Sequence, residues 1–379
     1  MARTLGHIRI LMSSRVLLDL EEADKVFKEK GVEGYTDYML CRGEYAKDMD
    51  EALGCRRLKK GPLFDFALAM DKLNALSKKD PIVEVGMTCK DETDTALALF
   101  RNLNETALAV ALEYRITTAG APVSPKIHKA FKTDLFLTRS ESDAQIAIDL
   151  DIAAAVVNFP PRGTYDYDYN VQPVRIIVDG DAVAFGDSAE VRYREAIDSG
   201  KTYAEGLKAY KDGEKRDVNQ AVEPGPFTPI LAKISQLNSL FPRGEAPFEI
   251  SLLTARGGPA SDRALSTAFQ HGIKFNGVSG FMGGASKHEF LAEHKPHLFF
   301  DDQQTHLEKS AEFCPTGRVP YKTASPMFEY LLRKKREADA KVSAPSPVNA
   351  AFSEATEPPP LDKLIFLRPG VDGPLPPKP

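Results

Sequence analysis

Four blocks of this sequence occur twice, in the same order, and the distance between copies stays between 163 and 166 residues. RILMSSRVLLDLEEAD from Arg9 lies against RIIVDGDAVAFGDSAE from Arg175, and KGPLFDFALAMDKLNAL from Lys60 against PGPFTPILAKISQLNSL from Pro224. PIVEVGMTCK from Pro81 matches PFEISLLTAR from Pro247, and TDLFLTR ending at Arg139 matches PHLFFDD ending at Asp302. Self-similarity at a fixed offset points to two copies of one folding unit. In each copy, short β-branched runs alternate with helix-length stretches, which implies a parallel sheet with helices on its faces. The expected fold is therefore α/β, with two tandem Rossmann-like parallel-sheet halves related by internal duplication. The halves cover residues 1–160 and 175–325, with a linker over 161–174 that contains TYDYDYNVQ.

In the second half the pattern places helices at Ser188–Ser199, Thr228–Leu240, Ser261–His271 and Gln304–Glu312. Ser261 is expected as an N-cap and Gly272 as the residue past the C-terminus. A polar, helix-prone insert at about 200–223 falls after the Asp179 loop, where a small helical cap would cover a site. From about residue 338 to 379 the chain is rich in Pro, Ala and Ser. That composition buries too little apolar surface to order itself, so a disordered tail is expected, with Leu364–Leu367 as its one apolar patch.

The 379 residues are 42% hydrophobic and 27% charged, the composition of a globular protein. A net charge of −5, with Lys and Arg scattered, provides no footprint for nucleic acid. No apolar run reaches the length of a membrane span and MARTLGHIRI lacks a signal-peptide core, so a cytoplasmic protein is expected. Cys41, Cys55, Cys89 and Cys314 show no CxxC spacing and read as reduced, mostly buried thiols.

Chemistry concentrates in the second half, at predicted strand ends. The run Ile176-Ile177-Val178 stops at Asp179-Gly180-Asp181. Ligands of open α/β sheets bind just beyond such carboxyl ends, and two adjacent carboxylates need a cation or a reaction to justify them. Thr254 in SLLTAR, Lys287 in MGGASK and Asp301-Asp302 in HLFFDD follow at later strand ends or loops. Taken singly, each has an ordinary reading: a turn former, a strand residue, a solvated charge. Together they suit phosphoryl transfer, in which a phosphate dianion must be neutralised before a carboxylate can attack it. Asp179 would attack phosphorus and Asp181 would protonate the leaving oxygen and then activate water. Gly180 would let backbone N–H groups approach the phosphate, Thr254 would bond a phosphate oxygen, and Asp301 with Asp302 would hold Mg²⁺.

DGDAV, LLTAR, Lys287 and FFDD resemble the four motifs of the haloacid-dehalogenase-like phosphatase superfamily. VDGDAVAFGDSAE, SLLTARGG, FMGGASK, PHLFFDDQQTH and the N-terminal SSRVLLDLEEADKVFKEKGVEGY are similar to the cytosolic 5′-nucleotidase type I family, over roughly residues 7–322. The loop after Thr254 departs from that pattern, reading GGPASD where the family carries small Ser and Ala residues. The resemblance implies haloacid-dehalogenase-like halves and Mg²⁺-dependent hydrolysis of nucleoside 5′-monophosphates. It implies Asp179 as nucleophile and Asp181 as general acid and base. Thr254 and Lys287 would bind phosphate, with Gly180 and Ala255 beside them, and Asp179, Asp181, Asp301 and Asp302 would serve the metal.

The first half lacks these groups: Asp179 aligns with Ser13, Asp181 with Arg15, Lys287 with Ser124, and Asp301/Asp302 with Thr138/Arg139. Only Thr88, opposite Thr254, survives, so this half is expected to be a non-catalytic copy. Arg15 and Arg139 would either hold an anion such as a regulatory nucleotide or pair with local acids such as Asp19 or Glu141. The alternatives to a nucleotidase are a phosphatase for another small phosphate ester such as a sugar phosphate, and a non-catalytic nucleotide-binding protein. Base preference and assembly into a homo-oligomer stay open.

Overall fold

The computed structural model describes residues 7–77, 80–158, 173–200, 202–283 and 285–343. The expected linker, save its last two positions, and the tail from residue 344 onward lie outside the described residues, whereas residues 338–343, expected as the start of the disordered tail, complete the helix Pro326–Ser343. The apolar runs of the first half form β1 (Ile8–Ser13), the small hairpin β2 (Met49–Asp50) and β3 (Cys55–Arg56), β4 (Val83–Cys89), β5 (Tyr114–Thr117), β6 (Leu135–Thr138) and β7 (Ala153–Val157). Those of the second half form β8 (Val174–Val178), β9 (Phe248–Thr254), β10 (Gly280–Phe281), β11 (Leu298–Asp301) and β12 (Thr316–Arg318). Helices separate most of them, giving an α/β fold.

Ten strands make one sheet in the order β10-β9-β8-β11-β12-β7-β6-β1-β4-β5. Every neighbouring pair is parallel except β12 with β7. Outward from that antiparallel joint, one side reads β12-β11-β8-β9-β10 and the other β7-β6-β1-β4-β5. All four residues of β6 and all five of β7 are buried, as a parallel sheet covered on both faces requires. One large apolar core runs through both sides, from Ile8, Leu11 and Phe136 to Ile250 and Phe300, and a smaller second cluster gathers Ile177, Leu253, Phe299 and Leu307 in the second half. The described residues up to 330 form one compact unit that holds all these strands, and the described residues from 331 belong to a second.

The same hydrogen bonds recur at matching strand starts. Asn74 Oδ1 accepts the N–H groups of Ile82 and Val83, and its Nδ2 donates to Val83 O. Asn238 treats Phe248 the same way, accepting its N–H at 3.2 Å and donating to its carbonyl at 2.9 Å. Asp134 Oδ2 accepts Arg9 N–H at 2.8 Å, while His297 Nδ1 accepts Arg175 N–H at 2.8 Å.

Register corrects the repeat alignment at one point. Arg9 pairs with Glu84 in the β1–β4 ladder and Arg175 with Glu249 in the β8–β9 ladder. β4 and β9 also share one burial pattern over seven residues. Glu84 therefore answers Glu249, and Cys89, not Thr88, stands opposite Thr254. A shared Pro and a shared Thr drew the two strings one residue out of step. Strands tolerate no such slip, because one residue exchanges the two faces.

The second-half helices form at Ser188–Asp198, Thr228–Asn238, Pro259–Gln270 and Gln304–Ser310, and the insert is built on a helix at Tyr203–Arg216. Thr202 and Glu205 form a capping box at the start of the insert helix. Ser261 is not the N-cap of its helix. The helix starts two residues earlier at Pro259 with Gly258 as N-cap, and Ser261 Oγ donates to Gly258 O. Proline suits the first helical turn, and Gly258 takes the φ of +58° needed to enter it. Gly272 sits just past the C-terminus at φ +72°, as expected. The four cysteines are buried and form no disulfide. Among the described residues, no helix is long and apolar enough to cross a membrane.

Replacing Asn238 by Ala removes the side-chain acceptor of the Phe248 N–H and one of two donors to its C=O, the other being Asn276 Nδ2, and should cost about 1–3 kcal/mol, read as a lower denaturant midpoint at unchanged slope. His297 yields a pH effect. Burial, then the Arg175 charge, push it from 6.5 down to about 4. The unfolded chain takes up that proton near 6.5 and the folded one resists it, so the contribution is full above 6.5 and is lost as pH falls toward 4. Between pH 7 and 4.5 the denaturant midpoint should fall less for His297→Asn, whose Oδ1 replaces the Nδ1 acceptor, than for the parent chain.

Candidate active site

The carboxyl ends of β8, β9 and β11 are adjacent in the sheet, so Asp179, Thr254 and Asp301 converge although they are far apart in sequence. Asp179 is the first residue beyond β8. Its N–H donates to Phe300 O at 2.8 Å, and its Oδ1 accepts the Gly180 N–H at 2.7 Å. The chain then curls through a wide turn in which Phe185 N–H donates to Gly180 O and Ala182 adopts φ +61°. A side chain at 180 would press on Thr254, since a Cβ there falls 2.9 Å from Thr254 Oγ1. Glycine is what lets these two strand ends close up. Thr254 is itself buried, with Oγ1 accepting Arg256 N–H, and Ala255 beside it is exposed.

Lys287 lies at the N-cap of the helix His288–His294, with its side chain 3% exposed. Its Nζ donates to Asp179 Oδ1 at 2.8 Å and to Asp301 Oδ2 at 2.6 Å. Asp301 Oδ1 also accepts the Gln303 N–H at 2.8 Å, and His306 Nδ1 lies 3.2 Å from Oδ2. Asp302 accepts a hydrogen bond from Tyr321 OH, and its Oδ1 is buried without a protein partner. Oxygens of Asp179, Asp301 and Asp302 all lie within 4.8 Å of one another.

Burial raises the carboxyl of Asp179, with Asp301 adding repulsion and Lys287 opposing both. Burial likewise lifts Asp302 well above the carboxylate range, helped by Glu190, Asp301 and Asp179. Burial acts on Asp301 too, but Lys287 and His306 outweigh it and hold this carboxyl low. Lys287 in turn stays above its ordinary value despite burial, because Asp179 and Asp301 face it. One ammonium thus offsets part of the charge of three buried carboxylates. The orphaned Asp302 oxygen and this all-oxygen donor set fit a hard divalent cation such as Mg²⁺.

Asp181 stands apart from the three-carboxylate cluster. Arg256 Nε donates to its Oδ2 at 3.0 Å and Nη2 to its Oδ1 at 2.6 Å, so its side chain is not among the clustered metal-ligand oxygens. Sequence reasoning missed Arg256, which lies inside the quoted SLLTAR string but resembles an ordinary strand-end charge. It also missed Glu190, whose carboxyl is raised chiefly by burial and is bonded by Arg194, and Tyr321 and His306 around the aspartate pair.

At the matching strand ends of the first half, Arg15 bridges Glu21 at 3.2 Å and Asp24 at 3.1 Å, and Arg139 bridges the same Glu21 at 3.1 Å. Both arginines are thus paired with local acids, here Glu21 and Asp24, while Glu141 is bonded by Arg318. Ser124 stands at the N-cap position of the helix Pro125–Phe131 and Lys287 at that of His288–His294, and neither side chain bonds the backbone of its helix there.

Residues 1–326 match the family model of the 5′-nucleotidases. A human protein, cytosolic 5′-nucleotidase 1B, is 25% identical over 311 residues, which is 79% of this chain and 47% of that protein. The chain thus spans about half the length of that curated relative. No solved structure matches it. The chain belongs to the 5′-nucleotidase family, in agreement with the resemblance read from its motifs.

Lys287→Met removes the ammonium and leaves the carboxylates facing one another. In EDTA it should cost about 3–5 kcal/mol, as breaking a buried ion pair does. Saturating Mg²⁺ should recover a larger part of that loss than it adds to the parent. Denaturant midpoints with and without Mg²⁺ measure both, and an equal loss in the two buffers contradicts a cation among Asp179, Asp301 and Asp302.

Proposed function

We propose that the chain is a Mg²⁺-dependent 5′-nucleotidase that converts nucleoside 5′-monophosphates to nucleoside and phosphate through an aspartyl-phosphate. The observation that carries this reading is Asp179, fixed at a strand end by Lys287 and Gly180 N–H and flanked by Asp301 and Asp302. Family membership narrows the class, and a nucleotide's 5′-phosphate fits the family's description.

With Oδ1 engaged by Lys287 and the Gly180 N–H, Asp179 presents Oδ2 to phosphorus. Bond formation from Asp179 to phosphorus and cleavage of the bond to the 5′-oxygen expel an alkoxide, which takes its proton from Asp181. Asp181 then accepts a proton from water as that water attacks the phosphorus. The bond to Asp179 breaks and inorganic phosphate leaves. Thr254 Oγ1, Lys287 Nζ and the backbone around Gly180 and Ala255 line the place where phosphate oxygens sit. A magnesium ion held by Asp179, Asp301 and Asp302 would neutralise phosphate charge as it develops.

The two halves are best explained as a duplication whose first copy lost its reactive groups. Support comes from the matched strand order about the β12–β7 joint and from the paired roles of Asn74 with Asn238 and of Asp134 with His297. A regulatory nucleotide at the first half would have to displace Glu21 from Arg15 and Arg139.

Phosphate release from a panel of nucleoside and sugar monophosphates, with and without Mg²⁺, tests the reading. Release should be Mg²⁺-dependent and fastest with nucleotides, and Asp179→Asn should lower it by about a thousandfold or more. Equal release by that variant, or a preference for sugar phosphates, refutes the proposal.

A further inference from the structure

One charged chain in the molecule is not used by the chemistry above, although it ends on a residue that is. Arg256 is 2% exposed and its guanidinium makes three bonds, two to Asp181 and one from Nη1 to Glu214 Oε2 at 2.5 Å. Glu214 is 1% exposed and belongs to the insert helix Tyr203–Arg216. Its other oxygen accepts from Arg263 Nη1 at 2.6 Å, and Arg263 Nε donates to Gln220 O at 2.9 Å. Asp181, Arg256, Glu214 and Arg263 therefore alternate in sign and come from four segments: the β8 loop, the β9 loop, the insert helix and the helix Pro259–Gln270.

Buried charges persist only when each is paired, so no member of this chain can move without leaving another uncompensated. Arginine is the residue type that can serve here, because its planar fork grips a carboxylate bidentately and keeps a further N–H edge for a second acid. Both oxygens of Asp181 rest on that fork, so the guanidinium sets the direction of the carboxylate. Glu214 sets the guanidinium, and the insert helix sets Glu214.

We propose that Arg256 is a positioning residue that orients Asp181 for proton transfer and ties that orientation to the seating of the insert helix through Glu214. The catalytic half of this proposal rests on the nucleotidase reading; the link between Arg256 and the helix does not. Arg256 touches neither the phosphate nor the three-carboxylate cluster in this role, and acts through Asp181. With the helix seated, Asp181 keeps one oxygen on the fixed guanidinium and releases the other, which carries the proton, toward the leaving oxygen. With the helix displaced, Arg256 loses its second acid and Asp181 loses its reference point.

The test uses the full chain and three variants, Arg256→Ala, Arg256→Lys and Glu214→Gln, with two readouts. Hydrogen exchange followed by mass spectrometry reports on residues 203–216, and steady-state kinetics on the best nucleotide separates kcat from KM. Exchange in the insert helix should rise about tenfold or more in Arg256→Ala and Glu214→Gln while the strands β8 and β9 keep parent protection. In Arg256→Ala kcat should fall by about 10–100-fold with KM within about threefold, the signature of a misdirected acid, not of lost binding. Glu214→Gln, which leaves Asp181 and Arg256 in place, should lower kcat in the same direction. The double variant should be no slower than Arg256→Ala, because both changes break one coupling. Arg256→Lys, which cannot hold both acids, should fall between parent and Arg256→Ala, and it carries the test if the alanine variant fails to fold. Parent kcat in Arg256→Ala, multiplicative losses in the double variant, or helix exchange unchanged in both single variants each overturns the proposal. A parent chain that hydrolyses no nucleotide defeats the nucleotidase reading and the orienting role together, and the exchange experiment still decides the link to the helix.

Discussion

Among the described residues, Lys287 supplies the only ammonium bonded to the buried Asp179–Asp301–Asp302 group, and the geometry of the site follows from that shortage. Carboxylates this close repel one another, and burial removes the water that would screen them. By donating to Asp179 and Asp301 together, Lys287 pins both strand ends at one separation. Asp302 is left outside this bridge, with one oxygen on Tyr321 and the other unpartnered. The site is therefore short of positive charge, a deficit that a hard divalent cation fits.

A second arrangement of charges governs the neighbouring Asp181, and the two systems share no bonded partner. Lys287 serves Asp179 and Arg256 serves Asp181. Their separation matters because Asp179 and Asp181 are only two residues apart, too close for either to be adjusted by its own strand alone. The loop between them depends on glycine at 180, where Thr254 leaves no room for a side chain, and on the positive φ of Ala182. Backbone geometry separates the two carboxylates, and different cations then hold them apart.

Much of this was legible in the sequence because strand ends in a parallel sheet are marked by an abrupt change from apolar to charged residues. Ile176-Ile177-Val178 before Asp179 and Leu298-Phe299-Phe300 before Asp301 show that change, and both strands lie where the pattern put them. Lys287 was legible only through its neighbours in a motif, since a lone lysine in a loop says nothing about burial. Glu214 and Arg263 were not legible, because a polar helix shows no preference for which of its charges faces inward until its partner is in place. Thr88 was misassigned for a related reason: identity at one letter outweighed the alternation that sets the face of a strand, and the Arg9–Glu84 and Arg175–Glu249 pairs restore it. Ser261 was chosen as a cap by residue type, whereas Gly258-Pro259 had already turned the chain.

The antiparallel joint between β12 and β7 has a geometric consequence. Strands on each side run parallel among themselves and reverse direction once, at the joint, where Arg318 pairs with Val156. Because Val156 also pairs with Thr138 and Arg318 with Asp301, the two sets of strands point toward one another and their carboxyl ends meet at one level of the sheet. Asp301 and Thr138, the residue before Arg139, stand in one row three strand spacings apart, about 15 Å. Side chains already join the two regions: Arg318 bonds Glu141, and Gln145 Nε2 donates to the carbonyl of Tyr321, whose hydroxyl bonds Asp302. A shift of the first-half helix that carries Gln145 would therefore reach Asp302 through a single residue.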